Sequence, residues 1–278
     1  MASESNIRVE RDGPVGVLTI DRRERLNSLD VRTAQDFRKA GLQLARDNEV
    51  RVVLIRGEGG VFCSGADLKY IRDGGEGSDL QYLRPESSDP GYGRVFKQIL
   101  EYIHSAISEI RRASKPFVAA VDGAAAAGGF GIAMSCDLVL ASERAWFEWA
   151  YFKTGLSGAE SSTFLLPRLV GLRRSLEFIL LNPRLSAQEA LEWGLVNRVF
   201  TDVSFEPQVR EVAHRLAASP RSAVATAKGL LNQASGMDRL DVHLDAELSE
   251  LARVANGADF AEGIEAFFDK RAPKFEEG

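Results

Sequence analysis

The chain has 278 residues, 45% of them hydrophobic, and a formal net charge of -5. That length supports one or two domains with a large core. The mild acidity argues against a nucleic-acid-binding chain, which would carry a basic face.

The opening MASESNIRVERDG has no long apolar run and carries acidic residues early. It is expected to be neither a signal peptide nor a membrane anchor, so the expectation is a cytoplasmic protein. Val15 to Ile20 alternates as a strand. Asp30 is placed to cap a helix to about Arg46, with Ala34, Phe37, Ala40, Leu42 and Leu44 for burial. Arg51 to Arg56 reads as a short buried strand. Residues 73–93 are polar and rich in glycine and proline, and predict the longest loop. Val95 to Arg112 is helical, with Ile99, Ile103 and Ile107 at four-residue spacing, and Lys115-Pro116 stops it. Residues 117–121 form a strand, followed by a glycine turn and a short helix through Met134. Asp137 to Ala141 and the Trp146-Phe147 stretch read as strands, and Ser161 to Val170 and Arg173 to Leu181 as helices. Ser186-Ala187-Gln188-Glu189 is a capping box that opens another helix. Val196 to Phe200 is a last strand. Beyond it the pattern is helical over 206–217, 220–234, 239–255 and 258–270. The expected division is a β/α core over 1–200 and a helical region over 201–278.

Two small-residue turns carry the chemistry. One is Phe62-Cys63-Ser64-Gly65-Ala66-Asp67-Leu68, and the other runs from Asp122 through Gly128 to Gly131. Each follows a β-branched run and leads toward a helix. Small residues leave backbone N–H groups uncovered at such a turn. Two donors converging on one carbonyl oxygen would form an oxyanion hole; two ordinary strand–helix turns are the plain alternative. Cys63 and Cys136 sit in apolar surroundings and read as reduced core thiols. With no Cys/His cluster, and with His104, His214 and His243 scattered, no metal site is expected.

The whole set of motifs resembles the crotonase (enoyl-CoA hydratase/isomerase) superfamily. The matching pieces are VGVLTIDRRERLNSLD, RVVLIRGEGGVFCSGADLKYI and SKPFVAAVDGAAAAGGFGIAMSCDLVLASERAWF, then LLPRLVG, LSAQEALEWGLVNRV and EGIEAFFDKRAPKF. The resemblance implies an α/β fold, a crotonase-like spiral of repeated ββα units with a C-terminal α-helical trimerisation region. It implies a homotrimer or dimer of trimers. The ligand is an acyl-coenzyme A thioester, with no separate cofactor, because coenzyme A is part of the substrate. It places the backbone N–H groups of Ala66 and Gly128 at the two oxyanion positions. Ser64, Ala66, Asp67 and Leu68 flank the ligand on this reading, and Asp67 also reads as a helix cap. Arg22, Arg23 and Arg25, with Lys270, Arg271 and Lys274, occupy regions used around CoA phosphates; a solvated charged face is the competing reading. Phe267-Phe268 either flanks the pantetheine or packs the last helix.

The pattern departs from the family at the acids. The two hydratase glutamates fall at Gly131 and Tyr151, and neither is a carboxylate. A third acidic position lies before LLPR, where this chain reads GLSGAESS. There Glu160 is the candidate acid/base, by a one-residue gap, and a carboxylate serving the dipole of the next helix is its rival reading. One carboxylate beside an enolate suits double-bond isomerisation. Trp146, Phe147, Trp149 and Phe164 are expected to supply its apolar wall. Hydration, or another reaction of the superfamily such as hydrolysis, dehalogenation or C–C cleavage, with Glu148 or Tyr151 is the alternative. A non-catalytic acyl-CoA-binding protein is a further one.

Overall fold

The computed structural model describes residues 5–76 and 91–275. The elements run β1 (Ile7–Asp12), β2 (Val15–Ile20), α1 (Val31–Arg46), β3 (Val52–Gly57), α2 (Leu68–Arg72), α3 (Tyr92–Arg112), β4 (Phe117–Val121), β5 (Ala124–Ala126) and α4 (Gly128–Ser135). There follow β6 (Leu138–Ser142), β7 (Trp146–Glu148), α5 (Ser162–Val170), α6 (Leu172–Leu181), β8 (Leu185–Ser186), α7 (Ala187–Trp193) and β9 (Arg198–Phe200). The chain closes with α8 (Asp202–Ala217), α9 (Arg221–Ala234), α10 (Leu240–Ala255) and α11 (Ala258–Asp269). The expected loop at 73–93 lies largely outside the described residues.

The strands form two sheets, β1-β2-β3-β4-β6-β9 and β5-β7-β8. Each turn of the chain lays one strand in the large sheet, then one in the small sheet, then a helix. Thus β4 and β6 pair in parallel in the first sheet, and β5 and β7 pair in parallel in the second. The turn before them reaches the second sheet only as a bridge between Cys63 and Ala125. This is the crotonase spiral of ββα units.

The apolar runs follow from burial on both faces of the large sheet. Val53, Ile55 and Ala119 face the main core with Phe37 and Ile107. Val52, Leu54, Val118 and Leu140 face the other way, onto Phe205, Val209 and Val212 of α8. Asp30 caps α1 as expected, accepting from Thr33 N at 2.7 Å. The Ser186–Glu189 capping box is formed at α7.

β8 was not expected at the Ser186 capping box, and three other elements differ from the sequence reading. β1 was not expected, because only Ile7 in it is buried and its charged residues read as a tail; charge is common on an edge strand. β5 read as part of a turn, since three alanines carry no strand signature. α8 begins at Asp202 rather than 206, where Thr201 caps it by accepting from Ser204 N. Among the described residues, no helix is long and apolar enough to cross a membrane.

Candidate active site

Two turns of the spiral meet beside one cavity. In the first, Cys63 N donates to Ala124 O and Ala126 N donates to Cys63 O, each at 3.0 Å. On its other side Leu29 N donates to Gly65 O at 2.8 Å and Asp67 N donates to Leu29 O at 2.9 Å. This parallel pairing uses the groups that flank Ala66, so the N–H of Ala66 itself points away from Leu29. In the second turn Ala127 stands at φ 47° and Gly128 is the first residue of α4. Amides of a first helical turn have no partner within the helix. Neither N–H has a hydrogen-bond acceptor among the described residues.

The two turns touch. Gly65 has φ 93°, and a Cβ there would lie 2.8 Å from Ala127 Cβ and 3.0 Å from the Gly128 nitrogen. Glycine is what lets the backbones close. From behind, Glu148 O accepts from Ala127 N at 3.1 Å, which fixes the second turn to β7. Ala66 and Gly128 both line a cavity of about 450 Å³. Its apolar lining includes Leu68, Phe96, Leu156, Leu251, Phe267 and Phe268. The expected wall of Trp146, Phe147, Trp149 and Phe164 is not part of this lining. Trp149 is fully buried behind the site, with its ring 4.9 Å from that of Tyr151.

Glu160 reaches this cavity and is 3% exposed. Its Oε1 lies 2.8 Å from where a Cβ on Gly128 would stand. Its Oε2 accepts a hydrogen bond from the Tyr151 hydroxyl. Burial pushes the Glu160 carboxyl up to about 8, against the Tyr151 hydrogen bond, and the charge of Glu247 adds to the rise. Tyr151 is itself raised well above its usual value by burial and by Glu160, so it serves as a donor and not as a base. The rival reading of Glu160 as the α5 dipole partner fails on contacts: the amides of Ser161 and Thr163 donate to Glu247, at 2.8 and 3.0 Å.

Gly131, the first position of the hydratase pair, is filled from the other side. A Cβ there would lie 2.5 Å from Glu160 O and 2.6 Å from Glu160 Cβ. The backbone that presents Glu160 thus occupies the space that a side chain at 131 needs. Glu148 lines the cavity at 3% exposure, but it pairs with Lys153 and, at 3.5 Å, with Arg184.

Asp67 is a structural centre. It caps α2 by accepting from Lys69 N and Tyr70 N, and it binds Arg22 at 2.8 Å and Arg25 at 2.6 Å. Burial opposes its ionisation, yet Arg25, the Tyr70 amide and Arg22 together hold its carboxyl below the usual range. Its carboxylate is held by protein donors, as a helix cap would be, and Asp67 also lines the cavity. Ser64, Leu68 and Arg25 line the cavity beside it. Lys270 lines a second cavity of about 470 Å³, which shares Lys153 and Phe267 with the first. Lys274 is exposed and lines neither, and Glu262 binds its main-chain amide at 2.6 Å.

Known proteins resemble this chain in sequence and fold. The profile of the family described as enoyl-CoA hydratase/isomerase matches residues 10–278. This chain belongs to that family, the crotonase superfamily. A 4-chlorobenzoyl coenzyme A dehalogenase of Arthrobacter sp is 32% identical over 96% of this chain and 92% of its own. The 1,2-epoxyphenylacetyl-CoA isomerase of Escherichia coli (strain K12) is 31% identical over 94% of each chain. The crystal structure of an enoyl-CoA hydratase from Mycobacterium avium subsp. paratuberculosis K-10 superposes with a TM-score of 0.85 at 34% identity, covering 98% of this chain and 99% of that one. This crotonase-family protein is accordingly an enzyme of acyl-CoA thioesters.

Three residues behind the site, His104, His243 and Glu247, were given no role by the sequence reading. His104 and His243 read as scattered, yet they converge on Glu247, with His104 Nε2 at 4.0 Å and His243 Nε2 at 3.6 Å from its oxygens. His104 sits on the apolar face of α3 among isoleucines, where nothing in the pattern marks it out. The i,i+4 spacing of His243 and Glu247 was the one available signal.

Proposed function

We propose that this crotonase isomerises the double bond of an enoyl-CoA thioester. The amides of Ala66 and Gly128 hold the thioester oxygen as it becomes an enolate. Glu160 takes a proton from one carbon and returns it to another. The observation that carries this reading is the placement of one buried carboxyl, Glu160, against Gly128, with Tyr151 donating to its second oxygen. A proton shuttle works best with an affinity near the working pH, and burial supplies that. One relative named above is also an isomerase of a CoA thioester, 1,2-epoxyphenylacetyl-CoA. On this reading Arg25, Lys270 and Lys274 bind CoA phosphates, and Lys270 is the best placed of the three.

Hydration is the second reading, because Glu148 also lines the cavity. The mass of the product separates the two: isomerisation leaves it unchanged and hydration adds one water. Turnover of 3-enoyl thioesters with no mass change is expected. A rapid gain of water would replace the first reading with the second, and binding of thioesters without turnover would remove both.

The pH profile follows from the same group. The proton acceptor is the ionised carboxylate, and burial keeps Glu160 protonated until about pH 8. Activity, as kcat/KM, is therefore expected to rise with pH to a half-maximum near 8 and to fall away below it. A flat profile between pH 6 and 9 would contradict the assignment.

We also propose that the chain works as a homotrimer or a dimer of trimers, with 201–278 as the oligomerisation region. Leu172, Leu176 and Leu180 of α6 stand exposed at four-residue spacing, and Leu181, Leu230 and Leu231 are exposed too. Sedimentation is expected to give a mass three or six times that of the 30.4 kDa chain. A species of single-chain mass at micromolar concentration would contradict it.

A further inference from the structure

The turn that presents Glu160 has an unusual backbone. Glu160 stands at φ 52° and Ser161 at φ 60°. Two consecutive non-glycine residues in the left-handed region are strained, and such a turn persists only where its surroundings fix it. Here each amide is held by a buried side chain from a different helix. Glu160 N donates to His104 Nε2 of α3 at 3.2 Å. Ser161 N donates to Glu247 Oε2 of α10 at 2.8 Å, and Thr163 donates to Glu247 Oε1 through both its amide and its hydroxyl. Both clamps are more than nine-tenths buried.

We propose that Glu247 and His104 are positioning residues for proton transfer, locking the Glu160–Ser161 turn so that the Glu160 carboxyl stays against Gly128 and Tyr151. The proposal rests on the reading of Glu160 as the acid/base. His104 accepts through Nε2, so it must be neutral there. Burial keeps it so, lowering its pKa to about 4. Glu247 has a second effect: burial raises its own carboxyl, against the hydrogen bonds of Thr163 and Ser161, and in its ionised form it opposes ionisation of Glu160. The titratable groups around Glu160 are Tyr151, Cys63, His104 and Glu247. His243 faces Glu247 and Arg168 acts on His243, while Glu148 and Lys153 line the same cavity.

Two variants test this: Glu247→Gln, which removes the charge while keeping the size, and His104→Leu, which removes the acceptor. Each is assayed for kcat and KM, and the Glu160 carboxyl is titrated by carbon NMR, assigned by its loss in Glu160→Gln. In Glu247→Gln, kcat is expected to fall about 10- to 100-fold with KM held within about twofold. The Glu160 titration and the rising limb of kcat/KM should both move to lower pH, by about one unit. In His104→Leu, kcat should fall without that downward move, and His104→Gln, which restores an acceptor, should recover part of it. If kcat and the Glu160 titration stay at wild-type values in Glu247→Gln and His104→Leu, the proposal is wrong. A rise in KM with kcat unchanged would overturn it equally. Should Glu247→Gln fail to fold, the His104 pair decides between loss with rescue and no effect. Full turnover in Glu160→Gln would instead remove the acid/base reading, and the NMR titration of Glu247→Gln would still report on the clamp.

Discussion

Glu160→Gln is expected to lower kcat by about 10²- to 10⁴-fold, the usual worth of a positioned general acid/base, while KM stays within about threefold. The amide fills the same space and accepts from Tyr151, so the cavity keeps its shape. Stability should move the other way. The Glu160 carboxyl titrates near its ordinary 4.5 in the unfolded chain and near 8 in the folded protein. Between those values the folded state holds a proton that the unfolded chain has released. Raising the pH through this window therefore disfavours folding, by an amount on the order of 3–5 kcal/mol at pH 8 and above, and by nothing below pH 4. Glu160→Gln removes this titration. Its melting temperature should exceed the parent's at pH 8 and match it at pH 4. A variant that is slower but equally stable at both pH values would mean that Glu160 is ionised in the folded protein.

Gly131→Ala is expected to lower kcat about 100-fold, although it adds only one methyl group. That methyl would stand 2.5 Å from the carbonyl oxygen of Glu160, and a backbone atom cannot swing aside as a side-chain tip can. Overpacking of this kind costs about 1–3 kcal/mol, and here the yielding part is the catalytic turn. A displacement near 1 Å is enough for about a 100-fold loss. Gly131→Glu would restore a carboxylate at the hydratase position, yet it should yield no 3-hydroxyacyl-CoA, because the new side chain displaces Glu160. Wild-type turnover in Gly131→Ala would show that the Glu160 turn tolerates movement, and hydration by Gly131→Glu would show that the space at 131 is open.

The strands and turns of the core were legible because the strands are apolar on both faces and the turns are punctuated by Gly65, Gly123 and Gly128, whereas their winding into a spiral of ββα units was implied by the family resemblance. These signals are local, and they suffice for the elements of a fold in which each unit packs on the one before. The meaning of Gly131 was only half legible. The sequence reveals a missing carboxylate, but the occupant of that space, the Glu160 backbone, lies about thirty residues on. The clamp was not legible at all. His104, Glu160 and Glu247 come from three distant segments, and each alone reads as an ordinary core or helix residue. Glu247 interrupts the buried Leu244–Leu251 face of α10 as a charge, which is the trace that a buried capping role leaves in sequence. The four aromatics near residue 150 misled in the opposite sense. Trp149 and Phe147 point into the core behind Tyr151, where bulk is needed for packing and not for the ligand.

The central claim is that Glu160 moves a proton at the carbon next to a thioester carbonyl held by the amides of Ala66 and Gly128. Solvent exchange reads that step without assuming the rest of the reaction. In deuterated buffer at pH 8, the wild-type enzyme is expected to wash deuterium into the α-position of a 3-enoyl-CoA, and Glu160→Gln should slow this by at least about 100-fold. Equal exchange rates in the two proteins would contradict the account.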